Sequence, residues 1–328
     1  MRKLTNIAFY FVFAVVLAGS IVRMTGSGMG CPDWPKCFGL LIPPTSEDQI
    51  RWATDTDYSE GRMVIENDTL WYSTSDHISQ GESFSPENWA PHPHHNYSKF
   101  NTTHTWIEYL NRLTGALAGI PVLLLFILAI RSRKTLPIIF ASATLVSLLF
   151  VAYLGKLVVD GNLIPFSITI HTLGALSILA CLILMMQHLD GMKVAINKST
   201  RTWMIVSITL ALLQFVLGTQ VRELVDHFME SGITRTNIID SLPEWWKLHR
   251  SAAWIVLVSH VVWAVSLYKM PQLKSYAIMV FVILLGQMTT GILFIQIGIP
   301  AFAQPVHIVL GFALILVDLR AILATKVY

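Results

Sequence analysis

The chain has 328 residues, 54% of them hydrophobic and only 13% charged, with a mean hydropathy of +0.57 and a formal net charge of +3. That balance excludes a soluble domain of this size and points to a polytopic membrane protein, while the small net charge gives no reason to expect a nucleic-acid partner. Its 3 cysteines are too few for a disulfide scaffold.

The first apolar run, residues 5–25, has no small-residue cleavage site before Cys31 and reads as a retained span rather than a signal peptide; no transit peptide is evident. Seven further runs can cross about 30 Å of hydrocarbon as helices. They cover residues 105–130, 136–158, 164–187, 202–222, 245–268, 273–296 and 302–323. Basic residues gather in alternate connections: Arg2 and Lys3, then Arg131, Arg133 and Lys134, then Lys193, Lys198 and Arg201, then Lys269 and Lys274. All fall on one side, which places both termini in the cytoplasm of a cell bounded by a bacterial inner membrane. The connection from about 26 to 104 is then external, and it is acidic (Glu47, Asp48, Asp55, Asp57, Glu60, Glu66, Asp68, Asp76).

Landmarks recur in order through the chain. Gly19 to Arg23 ends span one as Gly218 to Arg222 ends span five; Asn111-Arg112 opens span two as His249-Arg250 opens span six; His171 opens span four as His307 opens span eight. An even number of spans per half makes such a repeat parallel. The expected fold is all-α: eight transmembrane helices in two parallel-repeat four-helix bundles, residues 1–198 and 199–328.

His171, His249 and His307 each lie near the external end of an inbound helix, at one depth in the outer leaflet. A lone intramembrane histidine is often a hydrogen-bonded packing residue. Matched positions in a duplicated bundle point instead to function, because ionisable groups there are costly. Two neutral imidazoles across an apolar bundle suit a low-spin heme iron, and His249 with His307 makes a complete pair. Arg250 and Arg222 are candidates for the propionates, or are interface anchors. In the first half His171 is matched with Asn111, a poor iron ligand. Glu108 lies three residues before Asn111 on the same helical face, where the second half has Trp246. This asymmetry fits one reacting site and one electron-holding site; a solvated interfacial glutamate is the plainer alternative.

His260, about 16 Å deeper than His249 by helix rise, reads as a packing residue. His104, one turn before Glu108, is a candidate substitute ligand if the helix starts early. Pro91-His92-Pro93-His94-His95 reads as a polar loop with at most adventitious metal affinity. Cys31 and Cys37 bracket two prolines outside span one and are close enough for a small disulfide, either a structural clip or a redox pair, with the clip preferred. Cys181 reads as a small apolar packing residue.

Taken together, Gly30-Cys31-Pro32-Asp33-Trp34-Pro35-Lys36-Cys37, Glu108-Tyr109-x-x-Arg112, His171, His249-Arg250 and His307 on eight spans resemble heme A synthase. The resemblance covers the chain apart from the extended loop at about 40–100. It implies oxidation of the C8 methyl group of heme O to a formyl group by successive hydroxylations. It implies a permanent heme b on His249 and His307, substrate heme in the first half, Glu108 as the catalytic carboxylate, and Cys31 with Cys37 as the family's external cysteine pair. A heme O synthase partner follows from the same resemblance; an unidentified electron donor, surrounding membrane lipid and a homo-oligomer are the other partners considered.

Asn111 departs from the family's pattern, which has histidine there. The expectation is that His171 alone holds the substrate iron, Asn111 hydrogen-bonds a water or oxygen ligand at the open position, Arg112 completes this site, and Glu108 stabilises charge or moves protons. Two other classes fit the same helices: a non-catalytic heme-binding transporter or assembly subunit, and a diheme quinol-linked electron carrier, against which Asn111 argues. Under the enzyme reading, at least one of Asn111→Ala and Asn111→His changes turnover, on the order of tenfold, measured as product heme per unit time. Unchanged turnover in both variants removes this role for Asn111.

Overall fold

The computed structural model describes residues 1–94, 97–161, 166–191 and 193–328. In chain order its helices are α1 (Arg2–Thr25), α2 (Thr102–Ser132), α3 (Thr135–Gly161), α4 (Ser167–Asp190), α5 (Lys198–Glu230), the short α6 (Ile238–Ser241), α7 (Trp246–Tyr268), α8 (Lys274–Ile297) and α9 (Ala303–Leu323). Among the described residues, 8 of these are long and apolar enough to cross a membrane. The protein is an all-α, multi-pass membrane protein, as its composition requires.

Two boundaries differ from the sequence expectation in ways that matter. Span five was expected to end at Arg222, yet α5 runs to Glu230. No glycine or proline intervenes before Gly232, and Asp226 pairs with Arg222 one turn back at 2.5 Å, so the helix continues past its apolar stretch. At the start of α2 the Asn101 side chain accepts from the His104 amide at 3.1 Å, an N-cap that places His104 in the first turn. Residues 164 and 165 of the expected span four lie outside the described residues.

The external connection folds into a small cap. Strands β1 (Asp57–Tyr58) and β4 (His77–Ile78) pair antiparallel, and β2 (Met63–Glu66), β3 (Thr69–Ser73) and β5 (Trp89–Pro91) form a second antiparallel sheet. Tyr58, Val64 and Trp89 are buried there against Trp52, Trp71 and Phe84, which gives the cap its own aromatic core.

In the membrane part α1 and α3 each pack against both α2 and α4, and α5 and α8 each pack against both α7 and α9. The first ring therefore sets α2 diagonal to α4, and the second sets α7 diagonal to α9. Helices α1 and α4 meet α9, and one apolar core runs through both rings, from Val12, Val122 and Leu182 to Trp263, Leu267 and Phe312. Large apolar side chains such as Leu123, Val146, Leu149 and Leu285 face outward, where hydrocarbon replaces water.

Polar clasps close both ends of the bundle. At the face carrying the termini, β6 (Val194–Ile196) pairs in parallel with β7 (Thr325–Val327), Arg201 donates to Thr325 Oγ1 at 2.7 Å, and Arg320 bonds Asp190. At the cap face, Asp226 accepts from both Arg23 (3.2 Å) and Arg222, which ties α1 to α5.

Candidate functional site

The second ring brings His249 of α7 and His307 of α9 together, with ring centroids 6.5 Å apart and ring planes inclined at 69°. One iron held by a nitrogen of each ring at about 2 Å needs centroids roughly 6 Å apart, so the spacing suits a shared metal. The tautomer of His307 follows from its neighbour. Thr290 Oγ1 on α8 lies 2.7 Å from His307 Nδ1 and gives its own proton to the Gly286 carbonyl at 2.8 Å. His307 Nδ1 is therefore the donor, and Nε2 keeps its lone pair for a ligand.

The backbones carrying the two rings are pinned alike. Gln214 Nε2 of α5 donates to the His249 carbonyl at 2.6 Å, and Gln287 Nε2 of α8 donates to the His307 carbonyl at 2.8 Å. His249 Nδ1 is buried without a protein partner, an unmet bonding capacity of the kind a bound group relieves. Gly218 of α5 lies so close that a Cβ there would come 2.9 Å from His249 Cε1. Only glycine leaves the ring its place.

The first ring has the same layout with a different donor set. Asn111 Oδ1 on α2 is buried and unpartnered, 3.8 Å from where a Cβ on Gly19 of α1 would sit. His171 Cε1 on α4 stands 3.9 Å from the corresponding point on Gly155 of α3. All four positions thus look onto a glycine of the preceding long helix, Gly291 facing His307 at 4.0 Å. The side chains present fit a bis-imidazole iron in the second ring, and one imidazole beside an amide in the first.

Above the first ring a carboxylate holds the cysteine loop. Cys31 and Cys37 form a disulfide, and both are buried. Glu108 Oε2 accepts from the Gly30 and Cys31 amides at 2.6 and 2.9 Å, and Oε1 accepts from Arg112. Arg112 also donates to the carbonyls of Asp33 (2.6 Å), Lys36 (3.0 Å) and Cys31 (3.3 Å), while Thr105 Oγ1 donates to Gly30 O at 2.8 Å. The loop lies directly on the first turn of α2: a Cβ on Gly30 would be 2.5 Å from the His104 carbonyl. Beside this clamp, burial pushes the Asp33 carboxyl above its ordinary range, partly offset by the Gly39 and Phe38 amides and by Arg112.

The family model described as cytochrome oxidase assembly protein, COX15-CtaA, matches residues 2–68 and 60–319. The chain belongs to this family. Among similar curated proteins, the heme A synthase of Shewanella oneidensis MR-1 is 24% identical over 185 residues, which covers 56% of this chain and 43% of that protein. The match therefore spans under half of the Shewanella protein's length. The heme A synthase of Rickettsia prowazekii Madrid E is 23% identical over 329 residues, covering 90% of this chain and 89% of that one.

In this cytochrome oxidase assembly family member the other expected site residues are distributed as follows. Arg222 bonds Asp226, Gln304 and the Arg23 carbonyl, and only its Nε has no partner. Arg250 is exposed, with its guanidinium 5.3 Å from the centre of the Trp246 ring. Trp246, the counterpart of Glu108, packs with Val225, Ile238, Leu242 and Ile299 instead of bonding a loop. His104 lines a cavity of about 140 Å³ beside the clamp, with Gly30, Tyr97, Lys99 and Thr105. In the loop, His92 and His94 pack with Tyr97, and burial lowers the His92 pKa; His95 lies outside the described residues. Cys181 is a partly buried free thiol.

Thr290, Gln214, Gln287 and Gly218 were not among the residues expected from sequence. A usable signal was present: Gln214 precedes Gly218, and Gln287 precedes Gly291, by one helical turn on one face.

Two outcomes follow from this geometry. Gly218→Val drives a side chain into the His249 ring and abolishes the low-spin absorption of any iron the pair binds, read by optical spectroscopy of the purified protein. Arg112→Ala leaves the Glu108 charge and three loop carbonyls without their donor and costs about 3–5 kcal/mol, read as a lower thermal unfolding midpoint than that of Arg250→Ala.

Proposed function

We propose that this protein is a heme A synthase, oxidising the C8 methyl group of heme O to a formyl group. The observation that carries the reading is the inequality of two similarly placed sites. One has two facing imidazoles; the other has His171, an unpartnered amide oxygen and a clamped carboxylate nearby. The first arrangement suits a group that only exchanges electrons, and the second leaves an iron face open for chemistry.

In this reading His249 and His307 hold heme b, with Arg250 and the free Nε of Arg222 available to its propionates. Heme b supplies reversible one-electron storage between an electron donor and the substrate site. His171 binds the iron of the substrate heme and fixes its plane within the first ring. Asn111 Oδ1, buried and unbonded, accepts a hydrogen bond from water on the open side. Glu108, bonded by two backbone amides and a guanidinium, is arranged as a fixed negative charge. It is placed to stabilise positive charge that develops at the methyl carbon in the transition state, which the geometry supports better than a freely moving proton carrier. Arg112 positions Glu108 and, with the buried disulfide, keeps the cysteine loop seated over the ring as a structural clip. The protein sits in a bacterial inner membrane with both termini cytoplasmic and takes heme O from a heme O synthase.

The altered ligand at Asn111 gives a second reading some footing, in which the first ring carries heme without transforming it. Co-expression with a heme O source, followed by chromatography and mass spectrometry of extracted hemes, separates the two. Heme A is expected, and it is lost in His171→Ala and falls by about 10²–10³-fold in Glu108→Gln, which keeps an acceptor for the loop amides. Persistent heme O beside a normally bound heme b refutes the enzyme and leaves a heme-binding protein.

A further inference from the structure

Three turns below the imidazole pair, the same two helices are joined a second time. His260 Nε2 lies 2.9 Å from Asp318 Oδ2, and the two residues are 0% and 1% exposed. His260 Nδ1 is 2.7 Å from the Val256 carbonyl, which can only accept, so Nδ1 carries a proton. A further proton bridges Nε2 and Oδ2, and the bond survives whichever atom holds it.

The placement is regular. His260 follows His249 by eleven residues on α7, and Asp318 follows His307 by eleven residues on α9. Eleven residues bring a helix back to nearly the same face, about 16 Å further along. In the first ring the same offset from Asn111 and His171 reaches Val122 and Leu182, which are buried and apolar. The polar tie is thus present beneath one candidate heme site and replaced by hydrocarbon beneath the other.

That difference has a mechanical consequence. In a bilayer, helix contacts gain little from the hydrophobic effect, and Val122 and Leu182, both in the shared apolar core, offer no polar group to hold α2 to α4. A buried hydrogen-bonded pair does hold its helices, since separation leaves an uncompensated polar group on each helix. We propose that His260 and Asp318 are a positioning pair that fixes α7 against α9, so that the second ring retains its heme while the first, tied by Val122 and Leu182, opens to exchange substrate and product heme. This rests on the heme-binding reading above. It assigns a residence time to each ring from residues that touch neither iron.

The test is the rate at which purified, heme-loaded protein in detergent surrenders heme b to excess apomyoglobin, followed optically. The double variant His260→Val with Asp318→Leu copies the first ring and keeps the core apolar. It is expected to lose heme b about 3- to 10-fold faster than the unaltered protein, and Asp318→Asn, which retains a bond to Nε2, is expected to keep the original rate. An unchanged rate in the double variant overturns the proposal, and so does an equally fast loss in Asp318→Asn. If the double variant does not fold, Asp318→Ala carries the same comparison, with faster loss expected and an unchanged rate contradictory. Unaltered protein that purifies without any heme on His249 and His307 overturns the underlying reading, a result distinct from loaded protein whose variants hold heme equally well.

Discussion

An imidazole in the hydrocarbon layer is costly unless its nitrogens are bonded, and the second half of this protein is built around two of them. Thr290 hydrogen-bonds His307 Nδ1, Gln287 and Gln214 hold the backbones, and Gly218 makes room for the His249 ring. What remains is an unsatisfied nitrogen on His249 across from the free ring nitrogen of His307. The helices, their order in the ring and their polar ties all serve to keep those two side chains opposite one another.

The first ring uses the same scaffold differently. Its diagonal helices carry His171 and Asn111, and its hydrogen bonds are concentrated at the cap face, where Glu108 and Arg112 bind the loop closed by Cys31 and Cys37. Second-ring residues in the corresponding places are apolar or structural: Trp246 packs in a hydrophobic cluster where Glu108 makes hydrogen bonds. The reverse holds deeper in the membrane, where His260 and Asp318 face each other in the second ring and Val122 and Leu182 fill the first. At these two places one ring is polar where the other is apolar, although both carry polar side chains at the level of the histidines.

Much of this was legible in the sequence because hydrocarbon imposes a simple rule. Runs of about 20 apolar residues must be helices, so the spans could be read directly, and the few polar residues inside them stood out. The disulfide was readable from the closeness of Cys31 and Cys37. What could not be read depends on contacts between distant segments. Arg222 was read as a propionate candidate or an interface anchor, and its pairing with Asp226 could not be read because α5 extends a further two turns beyond the apolar stretch. The acidic external segment carried no strong periodicity, and its small sheets depend on aromatic packing among Tyr58, Trp71 and Trp89. Thr290 and Gln287 act by bonding a side chain and a carbonyl on a neighbouring helix, which no local pattern encodes.

The central claim is that His249 and His307 jointly ligate one iron, distinct from the site holding His171. Electron paramagnetic resonance of the oxidised, purified protein loaded with heme b alone tests it most directly. The expected spectrum is that of a low-spin bis-imidazole heme, present in His171→Ala and absent from both His249→Ala and His307→Ala. A bis-imidazole signal that survives either of the latter two substitutions would contradict the account.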